Sequence, residues 1–218
     1  MYRAVDAAAA LDPAAISMSW GGGGEFSGQD FYNGHCETAA TVCVEAAGDD
    51  GTPVGYGATA PDVLSIGGTT EQLDTAGNLQ SQSAWSGTGG GGGISFFEPR
   101  PAYQDGFEDS AFRGAPDVSA LADPATGVAV YYAYSATGAE WVEVGGTSLA
   151  TPIWAAILAA ADGSVFRAVY GLGSHLLDVT SGSNGPCPAA ECSAHTGYDT
   201  VAGLGSPGPG LDAALVRQ

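Results

Sequence analysis

The stretch "VEVGGTSLATPIWAAILAAA", residues 142–161, sets a glycine pair and small hydroxyl residues ahead of an apolar run. The run from Pro152 to Ala161 is long enough for a buried helix. Pro152 suits a first helical turn, where a missing N–H costs nothing, and Thr147, Ser148 or Thr151 can cap such a helix. The same residues suit another task. A serine hydroxyl becomes a useful nucleophile only when a base takes its proton and preset donors receive the oxyanion. A helix start supplies part of that field through free N–H groups and its positive dipole end. Gly145, Gly146 and Thr147 are small enough to let a carbonyl approach. By itself the stretch fits either a capped helix or a nucleophile at Ser148.

Upstream of it, "GVAVYYAYSATGAEWVEVGG", residues 127–146, alternates and turns at "ATGA" as a hairpin should. "YRAVDAAAAL" has helix-forming composition and stops before Pro13, and "AAISMSW" is a short apolar run ending at Gly21. "TVCVEAAG", 41–48, and "VLSIGGTT", 63–70, are further runs of strand length that end in glycine turns. Nearly continuous hydrophobicity in such strands, with helices between some of them, predicts an α/β fold whose parallel sheet is covered on both faces. "GDDGTPVGYGATAPD", 48–62, reads as loop. "SGTGGGGGISFF", 86–97, reads as a flexible surface or cleft loop, because it lacks the Lys-Ser or Lys-Thr ending of a phosphate cradle.

The 218 residues, 44% hydrophobic, suffice for one domain with a sizeable core. Against 24 Asp and Glu stand only 5 Lys and Arg, a formal charge of -19 that opposes contact with nucleic-acid phosphates. The acids are scattered rather than gathered in a tail, which fits a globular chain in acidic or extracellular surroundings. Nothing approaches the roughly 18 apolar residues of a membrane span, and the residues after Met1 do not form a cleavable signal, so an export signal is expected outside this sequence. The four cysteines form two close pairs, Cys36 with Cys43 and Cys187 with Cys192. Two local disulfides are the favoured reading; a zinc site is the rival, with only His35, His175 and His195 to help and no CxxC spacing.

"GGTSLATPIWAA" resembles the serine motif shared by subtilisin-like peptidases and sedolisins, the serine-carboxyl peptidases. The histidine context of the subtilisins is missing. "AAGDDG", 46–51, resembles the sedolisin motif that carries an aspartate, protonated in acid, as oxyanion donor. "ISMSWGG", "TAPDVLSIGGTT", "SAWSGTGGGGGISFFEPRPAYQ" and "APDVSALADPATGVAVY" resemble further sedolisin segments in family order, the bacterial kumamolisin-like group above all. The resemblance implies a subtilisin-like parallel sheet flanked by helices and lacking its first strands, with residues 1–218 as a single, N-terminally truncated catalytic domain. It implies Ser148 as nucleophile and Asp49 as oxyanion donor, with Ser19, Trp20, Gly21 and Gly146 along the substrate groove. Asp49 and Asp50 read alone would be a solvated acidic turn.

"DVTSGSNG", 178–185, and "HTGYDTVAGLGSP", 195–207, resemble the sedolisin calcium segment, placed here at about 174–210. Carried over by position, Asp178 and Asp199 give carboxylates to one calcium ion, and Val179, His195 and Gly197 give backbone carbonyls. One departure weighs against these agreements. Sedolisins take their base from a Glu and an Asp four residues apart on a helix upstream of the "SMSW" strand; of the acids before Asp49, namely Asp6, Asp12, Glu25, Asp30, Glu37 and Glu45, none is expected to supply that pair, and Asp6 falls on the wrong helix. The resemblance thus implies a secreted, acid-acting endopeptidase whose isolated 218 residues are inactive for want of the base, with peptides or proteins as substrates and a missing N-terminal segment or propeptide as partner. The alternative is a non-catalytic, calcium-stabilised binding module that keeps the groove.

Overall fold

In chain order the computed structural model runs through helix α1 (Tyr2–Ala9) and strands β1 (Ala15–Met18), β2 (Val42–Ala46), β3 (Val63–Leu73), β4 (Leu79–Ala84), β5 (Gly93–Pro99), β6 (Phe112–Ala115), β7 (Val118–Leu121), β8 (Val128–Ala133) and β9 (Ala139–Val144). Helix α2 (Thr147–Ala160), strands β10 (Leu176–Leu177) and β11 (Ser206–Pro207) and a last short helix α3 (Leu211–Leu215) follow. It describes residues 1–21, 23–37, 41–87, 89–135, 137–161, 166–186 and 192–215.

β1, β2 and β3 pair in parallel, with Ile16 beside Cys43 and Val44 beside Leu64. β3 continues the parallel layer to β7, where Ile66 lies opposite Val118. Thr69 then pairs with Leu121 on one side and Ala84 on the other, so the far half of β3 leaves as an antiparallel ribbon with β4. Side chains alternate between the two faces. Val42, Val44, Leu64, Ile66 and Val118 pack with Ala150, Trp154 and Leu158 of α2. Met18, Cys43 and Val63 pack with Val5 of α1 and with Tyr56. Both faces are therefore buried, the physical reason that these strands read as apolar runs without alternation. Trp154, fully buried, donates its Nε1–H to the Ser119 carbonyl at 2.8 Å and so ties α2 to β7.

Two elements differ from the sequence-based expectation. α2 starts at Thr147, five residues before Pro152, so the proline sits inside the helix and not in its first turn. Its missing N–H withdraws the usual fourth-residue donor from the Ser148 carbonyl, and the Ser19 hydroxyl lies 3.5 Å from that oxygen instead. The glycine run is not a flexible surface loop either. Gly89 to Gly93 are all buried, and the run feeds directly into β5. The hairpin of β8 and β9 forms, with Val130 opposite Val142 and Tyr131 opposite Trp141, and residue 136 of the expected turn lies outside the described residues.

Beneath the sheet, Arg113 and Asp117 form a fully buried ion pair at 2.7 Å. Arg113 also donates to the carbonyls of Ala60, Val63 and Gly114, and Asp117 accepts from the Ser65 N–H and the Tyr170 hydroxyl. With every charge compensated this node is structural. Cys36 and Cys43 form a disulfide, Cα atoms 5.8 Å apart. Cys187, of the second expected pair, lies outside the described residues. No helix is long and apolar enough to cross a membrane among the described residues.

Candidate active site

The parallel strands deliver their C-terminal ends to one side of the sheet, where α/β folds bind their ligands. β1 runs out into Ser19, Trp20 and Gly21, and β2 into Ala47, Gly48 and Asp49. With the first turn of α2 these segments line a cleft of about 430 Å³ that holds Ser19, Trp20, Gly21, Gly48, Asp49, Asp50, Thr147 and Ser148. Residues read from separate stretches of sequence thus meet in one place.

Helix α2 begins after Gly146 without a side-chain cap of its own. The orphan donor of its first turn finds a partner 98 positions away: the Thr147 N–H donates to Asp49 Oδ1 at 2.7 Å. The Thr147 hydroxyl donates to the same oxygen, also at 2.7 Å, and accepts from the Gly48 N–H at 3.2 Å. Two bonds therefore fix the Asp49 carboxyl against the start of the helix that carries Ser148, and a third ties the Gly48 N–H to the same threonine. Gly146 is needed for this contact. Its φ of 93° is left-handed, and a Cβ there would stand 2.8 Å from Asp49 Oδ2. Ser148 itself is exposed to the cleft, and among the described residues no carboxylate or imidazole is hydrogen-bonded to its hydroxyl.

Trp20 lines the same cleft with its Nε1–H buried and without a protein partner. Glu45, set aside in the sequence as a member of a Glu and Asp pair, does stand four residues before Asp49. The spacing does not make a pair, because Glu45 belongs to the α1 face of β2 while Asp49 lies beyond the strand end. The Glu45 side chain is 1% exposed and lies against Gly57, and among the described residues its Oε2 has no hydrogen-bond partner. Burial pushes its carboxyl up to about 8. A lone Glu at an inward strand position was the available signal.

The expected metal ligands converge from two segments. Asp178 accepts the Gly197 N–H at 3.0 Å, and Asp199 accepts the His195 N–H at 2.8 Å. Asp199 also receives the N–H groups of Val201 and Ala202, and its burial raises its carboxyl above the ordinary range against the pull of those bonds. Val179 is buried beside Ala194 and Val201. The His195 ring is exposed, with Nδ1 3.1 Å from the Thr196 carbonyl. Two carboxylates thus fasten one loop, 195–199, whose other potential ligands are carbonyl oxygens. Among the described residues no three His, Cys, Asp or Glu side chains gather around a point.

Residues 1–164 match the model of the subtilase family. The chain belongs to the subtilase family. Among curated proteins this subtilase is 30% identical over 231 residues to kumamolisin from Bacillus sp. (strain MN-32), across 89% of its own length and 41% of that relative's. It is 30% identical over 201 residues to sedolisin from Pseudomonas sp. (strain 101), across 82% and 33%. The chain thus spans about a third to two fifths of these relatives. Among solved structures, a Pseudomonas sedolisin, described as a serine-carboxyl proteinase complexed with two molecules of pseudo-iodotyrostatin, superposes with a TM-score of 0.80 at 24% identity. That match covers 99% of the subtilase chain and 68% of the sedolisin chain, and it establishes a subtilisin-like α/β fold. Sphericase shares the fold at a TM-score of 0.56 and 20% identity, over 95% of this chain and 61% of its own.

Proposed function

We propose that this subtilase carries the nucleophile and oxyanion half of an acid-acting serine-carboxyl endopeptidase site. The observation that carries the reading is the fixed pairing of the Asp49 carboxyl with the first turn of α2, across the cleft entry from Ser148. Ser148 Oγ attacks the peptide carbonyl carbon as its proton passes to a base; the tetrahedral intermediate then collapses with cleavage of the C–N bond, the amine leaves with that proton, and the acyl-enzyme remains. Asp49, with Oδ1 anchored by Thr147, offers a proton from its other oxygen to the developing oxyanion. A carboxylic acid donates only while it keeps that proton, so the chemistry belongs to acid solution. Ser19, Trp20 and Gly21, at the end of β1, form the wall along which an extended peptide lies.

The proton leaving Ser148 needs an acceptor, and the described residues bring none to its hydroxyl. Relatives named as serine-carboxyl proteinases point to a Glu and Asp pair, which these 218 residues lack on any helix before β1. Removal of the base from a serine peptidase costs on the order of a millionfold in turnover. On this reading the 218 residues by themselves turn over peptides only slowly. The Cys36–Cys43 disulfide supports an extracellular setting. The absence of any acid or imidazole on the Ser148 hydroxyl equally favours the second reading, a groove that binds peptides without cutting them.

Asp178 and Asp199, with the carbonyls of Val179, His195 and Gly197, suit one calcium ion, since hard oxygens and two carboxylates are what that cation takes. The ion's contribution is structural: it would join the 178–185 segment to the 195–207 segment.

The test is hydrolysis of unstructured peptides at roughly pH 4, near the ordinary range of an aspartic acid. Background rates that Ser148→Ala does not change fit the proposal. Brisk turnover abolished by Ser148→Ala would show that another acid of this chain serves as base.

A further inference from the structure

The five consecutive glycines, Gly89 to Gly93, lie between the Asp49 loop and the segments that carry Asn184 and Thr200, which also approach each other where Gly185 lies against Thr52. On one side the Gly51 N–H donates to the Gly89 carbonyl at 2.7 Å, and the Gly91 N–H donates to the Gly48 carbonyl at 2.6 Å. A Cβ on Gly91 would overlap the Ala47 carbonyl and stand 2.9 Å from the Gly48 nitrogen. Backbone therefore lies directly on the loop that carries Asp49. On the other side, a Cβ on Gly92 would overlap the Thr200 carbonyl and stand 2.8 Å from Asn184 Nδ2. Gly90 is packed as closely against β3, where a Cβ would stand 3.2 Å from the Gly68 nitrogen.

Asn184 is the second observation. It is 1% exposed, and among the described residues neither its Oδ1 nor its Nδ2 has a hydrogen-bond partner. A buried amide left unpaired is costly, and such a group persists where the surroundings dictate its place. Here the amide fills the space opposite the hydrogen of Gly92, a space that any other residue at 92 would occupy.

We infer that the glycine run is a positioning wedge: Asn184 and Thr200 seat Gly92, and through Gly91 the seated run holds the Gly48–Asp49 loop against the start of α2. The low-complexity sequence is then a packing requirement, because only glycine lets three backbones come this close. Gly91, Gly92 and Asn184 act through Asp49 and are positioning residues. The inference rests on packing alone. It holds whether or not a cation sits between Asp178 and Asp199, and whether or not Ser148 proves to be a nucleophile.

The experiment is amide hydrogen exchange by NMR on the 218-residue chain and four variants: Gly91→Ala, Gly92→Ala, Asn184→Ala and, as control, Val5→Ala in the core on the other side of the sheet. The readouts are protection at Thr147 and Gly48, whose N–H groups make the Asp49 contact, each divided by protection at Leu64 in β3. That ratio removes global destabilisation, which a merely structural role would produce. Gly92→Ala is expected to lower the Thr147 ratio by at least ~10-fold and to shift the Thr147 amide resonance, although the atoms nearest a Cβ at 92 belong to Thr200 and Asn184. Asn184→Ala, which adds no atoms and so keeps the fold, is expected to lower it by at least ~3-fold. Val5→Ala should leave both ratios unchanged. Equal ratios in Asn184→Ala and in the parent chain, with changes confined to residues 184–200, would overturn the inference.

Discussion

Replacement of Glu45 by Gln should make the protein markedly more stable in neutral and alkaline solution and leave it almost unchanged in acid. Burial lifts the Glu45 carboxyl from an ordinary 4.5 to about 8 in the folded chain. The neighbouring phenols do not share this range: Tyr2 is pushed up to about 12 by burial and by Glu45 itself, and Tyr56 is raised further by its own burial. Below pH 4.5 Glu45 holds its proton in both states and contributes nothing to the pH dependence. Between 4.5 and about 8 the unfolded chain releases the proton while the folded chain keeps it, so stability falls as pH rises. At about 1.4 kcal/mol per pH unit, the full loss is on the order of 5 kcal/mol, complete above about pH 8. For a chain of this size that is a fall in melting temperature of roughly 10–20 °C. The Gln variant carries no such titration. The assay is thermal unfolding of both proteins from pH 4 to 9, with the difference between the two curves as the measured quantity, so that other titrating groups cancel. A difference that grows steadily from about pH 5 upward is expected. Parallel curves would refute the reasoning and show that Glu45 ionises with water or a partner at hand.

Other outcomes follow from the same contacts. Asp49→Ala removes the acceptor for the Thr147 N–H and should cost about 1 kcal/mol in denaturant unfolding, the ordinary worth of a helix cap, whereas Asp49→Asn should recover part of it. Gly146→Ala, strained in φ and pressed against Asp49 Oδ2, should destabilise by about 1–3 kcal/mol. Arg113→Met strands the buried Asp117 carboxylate and should cost about 3–5 kcal/mol by chemical denaturation. Calcium at a hundredfold excess over its dissociation constant should stabilise by about 3 kcal/mol, and Asp178→Ala should abolish the shift; a melting temperature indifferent to calcium and chelator would remove the metal proposal.

Local patterns carried the sequence analysis wherever local physics decides. The runs at 41–48 and 63–70 become β2 and β3 because both their faces are covered, and the alternation of residues 127–146 becomes the β8–β9 hairpin. The serine stretch was legible as a helix start, but the helix begins at Thr147 because its cap comes from Asp49, far away in sequence. No local rule reports such a cap, and Pro152 misdirects the reading by marking a first turn that lies one turn earlier. Glycine in series reads as freedom when neighbours are unknown; Gly91 and Gly92 are instead held by the backbone of Ala47 and Thr200. The burial of Glu45 escaped notice for the same reason, since its packing against Gly57 is a tertiary fact. Asp178 meets the 195–199 loop through the Gly197 N–H, a contact between segments 19 residues apart that no local pattern reports.

The central claim is that Ser148 and Asp49 form a nucleophile and oxyanion site in one cleft. It is tested most directly by 13C NMR of a peptide aldehyde labelled at its carbonyl carbon, added to the chain at roughly pH 4, where an aspartic acid still holds much of its proton. The account predicts a tetrahedral hemiacetal resonance that disappears in Ser148→Ala and weakens in Asp49→Ala. An aldehyde that stays free, or a resonance that survives Ser148→Ala, would contradict it.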